Sequence, residues 1–358
     1  MTSRRYFLKK SAVAMCGIGA VPASLARAAY GARAGSRRNK VLVAVFQRGG
    51  MDGLNVVVPF GEKRYYELRP TIAVSKPDGT EASAIDLDGF FGLHPSLAPL
   101  LPIYRAGHLA IVNAAGSPDP TRSHFDAQDF MESGTPGVTE TSGWLNRVLL
   151  PRSGPVSPTR TVSIGDTLPL ALRGDNHAVA IRFDRSSNGA DYTGTRFGQS
   201  TAQIARTIKT RMRVEVAFIE MGGWDTHANE PARLRTLLSD FSHNLSAFYR
   251  DLGDRMADVI LVTMSEFGRA AKENEDRGTD HGHANVMFVM GGEVNGGRIY
   301  GEWPGLEPEH LYQGRDLDLT TDFRDVLAEI VAHHLGNARA DTVFPGHGAP
   351  KCLGLIAV

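Results

Sequence analysis

The sequence is 358 residues long, 42% apolar and 22% charged, with 39 basic and 39 acidic side chains. That composition is ordinary for a globular protein, and the length allows a sizeable core in one large α/β domain or two smaller ones. Beyond the N-terminus no stretch stays apolar for about 18 residues, which excludes stable membrane insertion of the mature chain.

Residues 1–28 are expected to be a signal peptide. A basic head, "SRRYFLKK", precedes a moderately apolar stretch that ends in Ala26-Arg27-Ala28, a small-x-small cleavage pattern. Arg4-Arg5 followed by Phe7-Leu8-Lys9 resembles the twin-arginine export signal, so the export machinery is an expected partner and the periplasm or cell exterior the expected location. That route carries folded proteins, often with cofactors already loaded. Removing residues 1–28 takes away Arg4, Arg5, Lys9, Lys10 and Arg27 and leaves a net charge of −5. A nucleic-acid partner needs a basic face and is not expected. Of the two cysteines only Cys352 would remain, so no internal disulfide is expected.

Residues 29–39 read as a flexible leader, and residues 40–358 as a single domain. "KVLVAVF" (40–46) has strand length and is broken by the three glycines of "QRGGMDGLN". "PSLAPLLPIYRAG" (95–107) is amphipathic, with Gly107 as its stop, and runs into the apolar "HLAIVNAAG" (108–116). Residues 150–195 are rich in Pro, Ser and Arg and read as an insertion or an irregular segment. "VEVAFIEMGG" (214–223) is the next strand. Residues 231–252 then place Leu234, Leu238, Phe241, Leu245 and Leu252 on one helical stripe. "ADVILVTMSEFG" (257–268) and "NVMFVMGGEV" (285–294) are further strands. Residues 321–336 predict a helix capped by Asp322 and ended by Gly336. Continuous apolar runs alternating with helices imply an α/β fold, a mostly parallel sheet between helical layers.

In such sheets ligands gather beyond the carboxyl ends of the strands. Ligand-type residues follow one strand after another: Asp52; then Thr121, Ser123, His124 and Asp126; then Asp225 and His227; then Glu266; and "GTDHGHAN" with Asp280 and His281. Carboxylates drawn to one place repel one another unless a cation lies between them. Carboxylates mixed with histidines suit Zn²⁺, Mn²⁺ or Fe, and an all-oxygen set suits Mg²⁺ or Ca²⁺. A hydroxyl beside the cation, Ser123 or Thr121, would become a nucleophile. Each motif also has a plainer reading. Asp225 and Ser123 could be helix caps, Glu266 could pair with Arg269, and His124 or His283 could merely support a ligand.

"FQRGGMDGLN", "SHFDAQDFMESG", "GGWDTHAN", "SEFGR" and "GTDHG" together resemble domain-of-unknown-function family 1501, from about Lys40 to the C-terminus. The resemblance implies a branch of the alkaline-phosphatase-like superfamily, which includes phosphatases and sulfatases. It implies one or two divalent metals: Asp225, His227 and His281 on the first, with Asp280 as co-ligand or support, and Asp52, Ser123 and Glu266 on the second. It further implies an exported hydrolase of a small anionic phosphate or sulfate ester, with Arg48 or Arg269 holding the anion. The chain departs from that pattern at Phe267, where the superfamily carries a histidine, and in the short Asp225-Thr226-His227 spacing. A rival implication is a metal-stabilised binding or scaffold protein without turnover. No Gly-rich dinucleotide turn, haem motif or cysteine pair suggests a redox enzyme.

Overall fold

Every side chain of the strand Val41–Gln47 (β1) is buried, and alternate residues feed two different cores. Val41, Val43 and Val45 pack on one face of the sheet, and Leu42, Ala44 and Phe46 on the other. A strand covered on both faces has no solvent side to mark with polar residues, which is why its apolar run is unbroken.

The computed structural model describes residues 39–149, 159–184, 191–210 and 213–357. The expected signal peptide (1–28) and residues 29–38 of the leader lie outside the described residues. The remaining strands of the main sheet are Leu109–Gly116 (β2), Thr161–Ile164 (β3), Val179–Ile181 (β4), Val216–Met221 (β5) and Val259–Met264 (β6). Asn285–Gly291 (β7), Ile299–Tyr300 (β8) and Thr321–Asp322 (β9) complete it. Their spatial order is β8-β2-β7-β6-β1-β5-β3-β4, with β9 also paired to β2.

All neighbours in this sheet pair in parallel except those of β7, which runs antiparallel to both β6 and β2. The sheet is mostly parallel, as the apolar runs imply, and the 285–294 run supplies its antiparallel member. The reversal has a consequence for chemistry. The amino end of β7 lies at the edge where β1, β2, β5 and β6 present their carboxyl ends, so "GTDHGHAN", which precedes β7, arrives at the same edge as the loops that follow the other strands.

The described part of the 150–195 stretch is more than an irregular insertion. It supplies β3 and β4, which extend the sheet in parallel beyond β5. At four and three residues they are too short to show a pattern in the sequence.

Four helices matter here: His124–Ser133 (α1), Arg196–Lys209 (α2), Glu230–Leu252 (α3) and Phe323–His333 (α4). Leu234, Leu238, Phe241 and Leu245 of α3 join the core of Val43, whereas Phe323, Val326, Leu327 and Ile330 of α4 join the core of Phe46. The sheet is thus covered on both sides. Asp322 caps α4 by accepting from the Arg324 amide, as its sequence position predicts. The 95–107 segment is not one α-helix but a 3₁₀ segment, Pro95–Leu100, followed by a short α-helix, Leu101–Arg105. Pro99 and Pro102 lack the amide hydrogens that a continuous ladder would use. Among the described residues no helix is long and apolar enough to cross a membrane.

Candidate metal centre

Three imidazoles converge on one carboxylate oxygen. Oδ1 of Asp225, in the loop after β5, lies 2.9 Å from Nε2 of His227, 3.3 Å from Nε2 of His281 and 3.6 Å from Nε2 of His124. The two Nε2 atoms of His227 and His281 are 3.0 Å apart. Ligand atoms of His124, Asp225 and His281 all fall within 4.8 Å of one another. Tetrahedral zinc, at 2.0–2.1 Å from each nitrogen, spaces its ligands by about 3.3 Å.

The far side of each ring is tied to an acceptor. Nδ1 of His124 meets Glu266 Oε1 at 2.9 Å, Nδ1 of His281 meets the Arg122 carbonyl at 2.9 Å, and Nδ1 of His227 meets Asp280 Oδ1 at 3.4 Å. An acceptor facing Nδ1 places the hydrogen there, which leaves the Nε2 lone pair of a neutral ring aimed inward. This arrangement is characteristic of metal-ligating histidines. Three lone pairs and a carboxylate oxygen repel at such distances unless a proton or a cation joins them, and Arg269 Nη2, 2.6 Å from the same Oδ1, supplies part of that positive charge. One atom bears this out independently: Nε2 of His124 is buried and has no hydrogen-bond partner.

Glu266 hydrogen-bonds His124 and raises its pKa above the usual histidine value, while burial lowers that of His281. Burial works against the charge on Asp225, but the hydrogen bond and charge of Arg269 hold its carboxyl below the ordinary range. The rings of His124 and His281 also pack on Phe267, at 4.9 and 4.8 Å between centroids. One apolar ring thus packs against two imidazoles.

The loops come together because glycine permits close approach. A Cβ on Gly278 would lie 2.2 Å from the carbonyl oxygen of His227, and one on Gly49, whose φ is +122°, would lie 2.5 Å from the Asp225 nitrogen. Either contact would force the loops apart.

Of the residues singled out in the sequence, Asp225, His227, Asp280 and His281 thus lie together, joined by His124. Glu266 stands behind His124. It is buried and accepts from His124, from Gln128 Nε2 (2.9 Å) and from the Gly49 amide (2.8 Å). Asp52 is elsewhere, with its carboxylate gripped by the buried guanidinium of Arg69, whose Nη2 donates to Oδ1 at 3.0 Å. Burial alone would raise its pKa, but Arg69 lowers it, so a side chain takes the role expected of a second cation.

Arg269 is also buried and is engaged by the carbonyls of Gly49, Gly50, Trp224 and Thr279 in addition to Asp225. It cannot reach out to an anion. Arg48 donates to Gln128, Glu132 and Glu220. Ser123 caps α1 by accepting from the Asp126 amide, and the Thr121 hydroxyl accepts from the Ser123 amide. Among the described residues neither hydroxyl hydrogen-bonds a histidine.

Sequence reasoning left Arg69 and Gln128 unremarked. Arg69 is one of many basic residues and has no motif. Gln128 lies one helical turn after His124, on the same face of α1, and that spacing was the available signal.

Residues 178–347 match the family described as "Protein of unknown function (DUF1501)". The matched segment contains "GGWDTHAN", "SEFGR" and "GTDHG". No curated protein matches the sequence. The structure resembles the C-terminal periplasmic domain of EcEptC from Escherichia coli, in complex with Zn, at 10% identity and a TM-score of 0.37, covering 72% of this chain and 74% of that one. A protein in the alkaline phosphatase superfamily from Vibrio parahaemolyticus gives 9% and 0.36, covering 74% and 63%. Murine ectonucleotide pyrophosphatase/phosphodiesterase 5 gives 12% and 0.34, covering 64% and 57%. Likeness at this level carries no argument about what the chain does.

Proposed function

We propose that this chain is a metal-dependent hydrolase of a small anionic phosphate or sulfate ester, built around one divalent ion. His124, Asp225, His227 and His281 would hold the ion. The observation that carries this reading is the convergence of three Nε2 atoms on Asp225 Oδ1, each ring fixed from behind. A nitrogen-rich donor set favours Zn²⁺, with Mn²⁺ or Fe next, over Mg²⁺ or Ca²⁺. Bound there, such an ion would polarise an ester oxygen and lower the pKa of a hydroxyl or water beside it.

The chain's own residues support the rest. Glu266, Asp280 and the Arg122 carbonyl orient the imidazoles, and Arg269 holds Asp225 ionised. Ser123 directly precedes His124 and Thr121 stands two residues before Ser123, so these two hydroxyls are the proposed nucleophiles. The reading extends to location: "SRRYFLKK" supports export through the twin-arginine machinery to the periplasm or cell exterior.

Ser123→Ala and Thr121→Val tests the chemistry. Loss of metal-dependent ester hydrolysis in one variant, with metal content unchanged, supports the enzyme. A second reading, a metal-stabilised binding protein without turnover, is favoured by the cap and amide contacts that occupy both hydroxyls. It predicts that neither variant changes any activity while His281→Ala still loses metal.

A further inference from the structure

Glu230, the first residue of α3, is fully buried and lies outside the imidazole cluster. Its Oε2 accepts hydrogen bonds from two threonines, Thr226 Oγ1 at 3.0 Å and Thr279 Oγ1 at 2.5 Å. Its Oε1 accepts from Asn55 Nδ2 at 2.9 Å. Thr226 stands between Asp225 and His227, and Thr279 is next to Asp280 and two residues before His281. Both threonines are wholly buried. One carboxyl group therefore clasps two of the three segments that deliver the cluster, the loop of Asp225 and His227 and the loop of His281.

The loops also meet directly. The Thr279 amide donates to the Thr226 carbonyl at 3.2 Å, and the Glu230 amide donates to the Arg277 carbonyl at 2.9 Å. Asn274 Nδ2 adds a bond to the His227 carbonyl at 2.9 Å. Buried hydrogen bonds of this kind are short-range and directional, so a change of one partner shifts the backbone beside it.

We propose that Glu230 is a positioning residue of the metal centre, fixing the spacing between the Asp225–His227 loop and the His281 loop through Thr226 and Thr279. The inference rests on the reading of the cluster as a metal site. In this arrangement the imidazoles are set before any cation arrives, so the ion need not order two loops on binding. Burial and the neighbouring Asp52 both push the Glu230 carboxyl well above its usual pKa.

The test uses the whole protein and Zn²⁺ alone, with affinity read by competition against a chromophoric chelator. Thr226→Val removes one clasp bond at constant shape, and Thr226→Ser restores the hydroxyl. Supports of metal ligands commonly contribute 10–100-fold in affinity, so Thr226→Val is expected to weaken zinc binding by at least about tenfold. Thr226→Ser is expected to recover most of that loss, with the circular dichroism of all three proteins alike.

A folded Thr226→Val protein that binds zinc as the wild type does would overturn the proposal, even if its melting temperature fell. Should Thr226→Val not fold, Thr279→Val and Thr279→Ser are read by the same criterion from the opposite loop. Wild type that binds no zinc fails the underlying site reading instead, so the two failures are distinguishable.

Discussion

Nε2 of His227 and Nε2 of His281 face each other at 3.0 Å, while Nδ1 of each ring is turned to an acceptor of its own. Two lone pairs at that distance are stable only with a positive charge between or beside them, either a shared proton or a cation. Asp225 Oδ1 and the unpartnered His124 Nε2 close on the same point. In the proposed site these four atoms would surround one ion.

In the proposed site Glu266 acts through His124, which it hydrogen-bonds, and not as a ligand itself. Glu266→Gln keeps an acceptor for His124 Nδ1 but removes the charge that makes the ring a stronger donor of its other lone pair. Zinc affinity is expected to fall by about tenfold or more, measured by chelator competition. Unchanged affinity would show that the carboxylate behind His124 has no part in the site.

Arg69 is the built-in counter-charge of Asp52. Arg69→Met leaves a carboxylate buried without its partner and is expected to cost about 3–5 kcal/mol in chemical denaturation. Asp52→Asn combined with Arg69→Met should recover much of that loss, since no charge is then stranded. Metal content should not rise in the wild type beyond what the histidine cluster holds. A single substitution without effect on stability would contradict the pairing.

His94 carries a separate pH signature. Burial, together with Arg235, lowers its pKa to about 4 from an ordinary value near 6.5. The unfolded chain therefore takes up a proton at a higher pH than the fold does, so this contribution is complete above pH 6.5 and is lost as pH falls towards 4. Between pH 7 and 4.5 the wild type should lose about 2 kcal/mol more than His94→Asn, which keeps a cap for the Ser96 amide. Parallel stability profiles for the two proteins would contradict it.

Much of this architecture was legible in the residues, because β1, β2, β5 and β6 are covered along most of both faces and so appear as mostly apolar runs. The direction of β7 was not, since an apolar run carries no sign of which way the strand points. The site was legible as a collection of loops, but not in its division of labour. Spacing alone cannot tell a carboxylate that binds a cation from one that orients a histidine, as Glu266 does. Nor can it find Asp52's partner, because Arg69 meets it through tertiary packing, 17 residues on. The sequence leaves His124 open between a ligand and a supporting residue. Its role follows from the start of α1 being brought against Glu266 and Asp225.

The most direct measurement is elemental analysis of natively purified protein beside His281→Ala and Asp225→Ala. The account predicts about one transition-metal ion per chain in the wild type and its loss from both variants while they stay folded. A wild type devoid of such metal, or variants that retain it in full, would contradict the central claim.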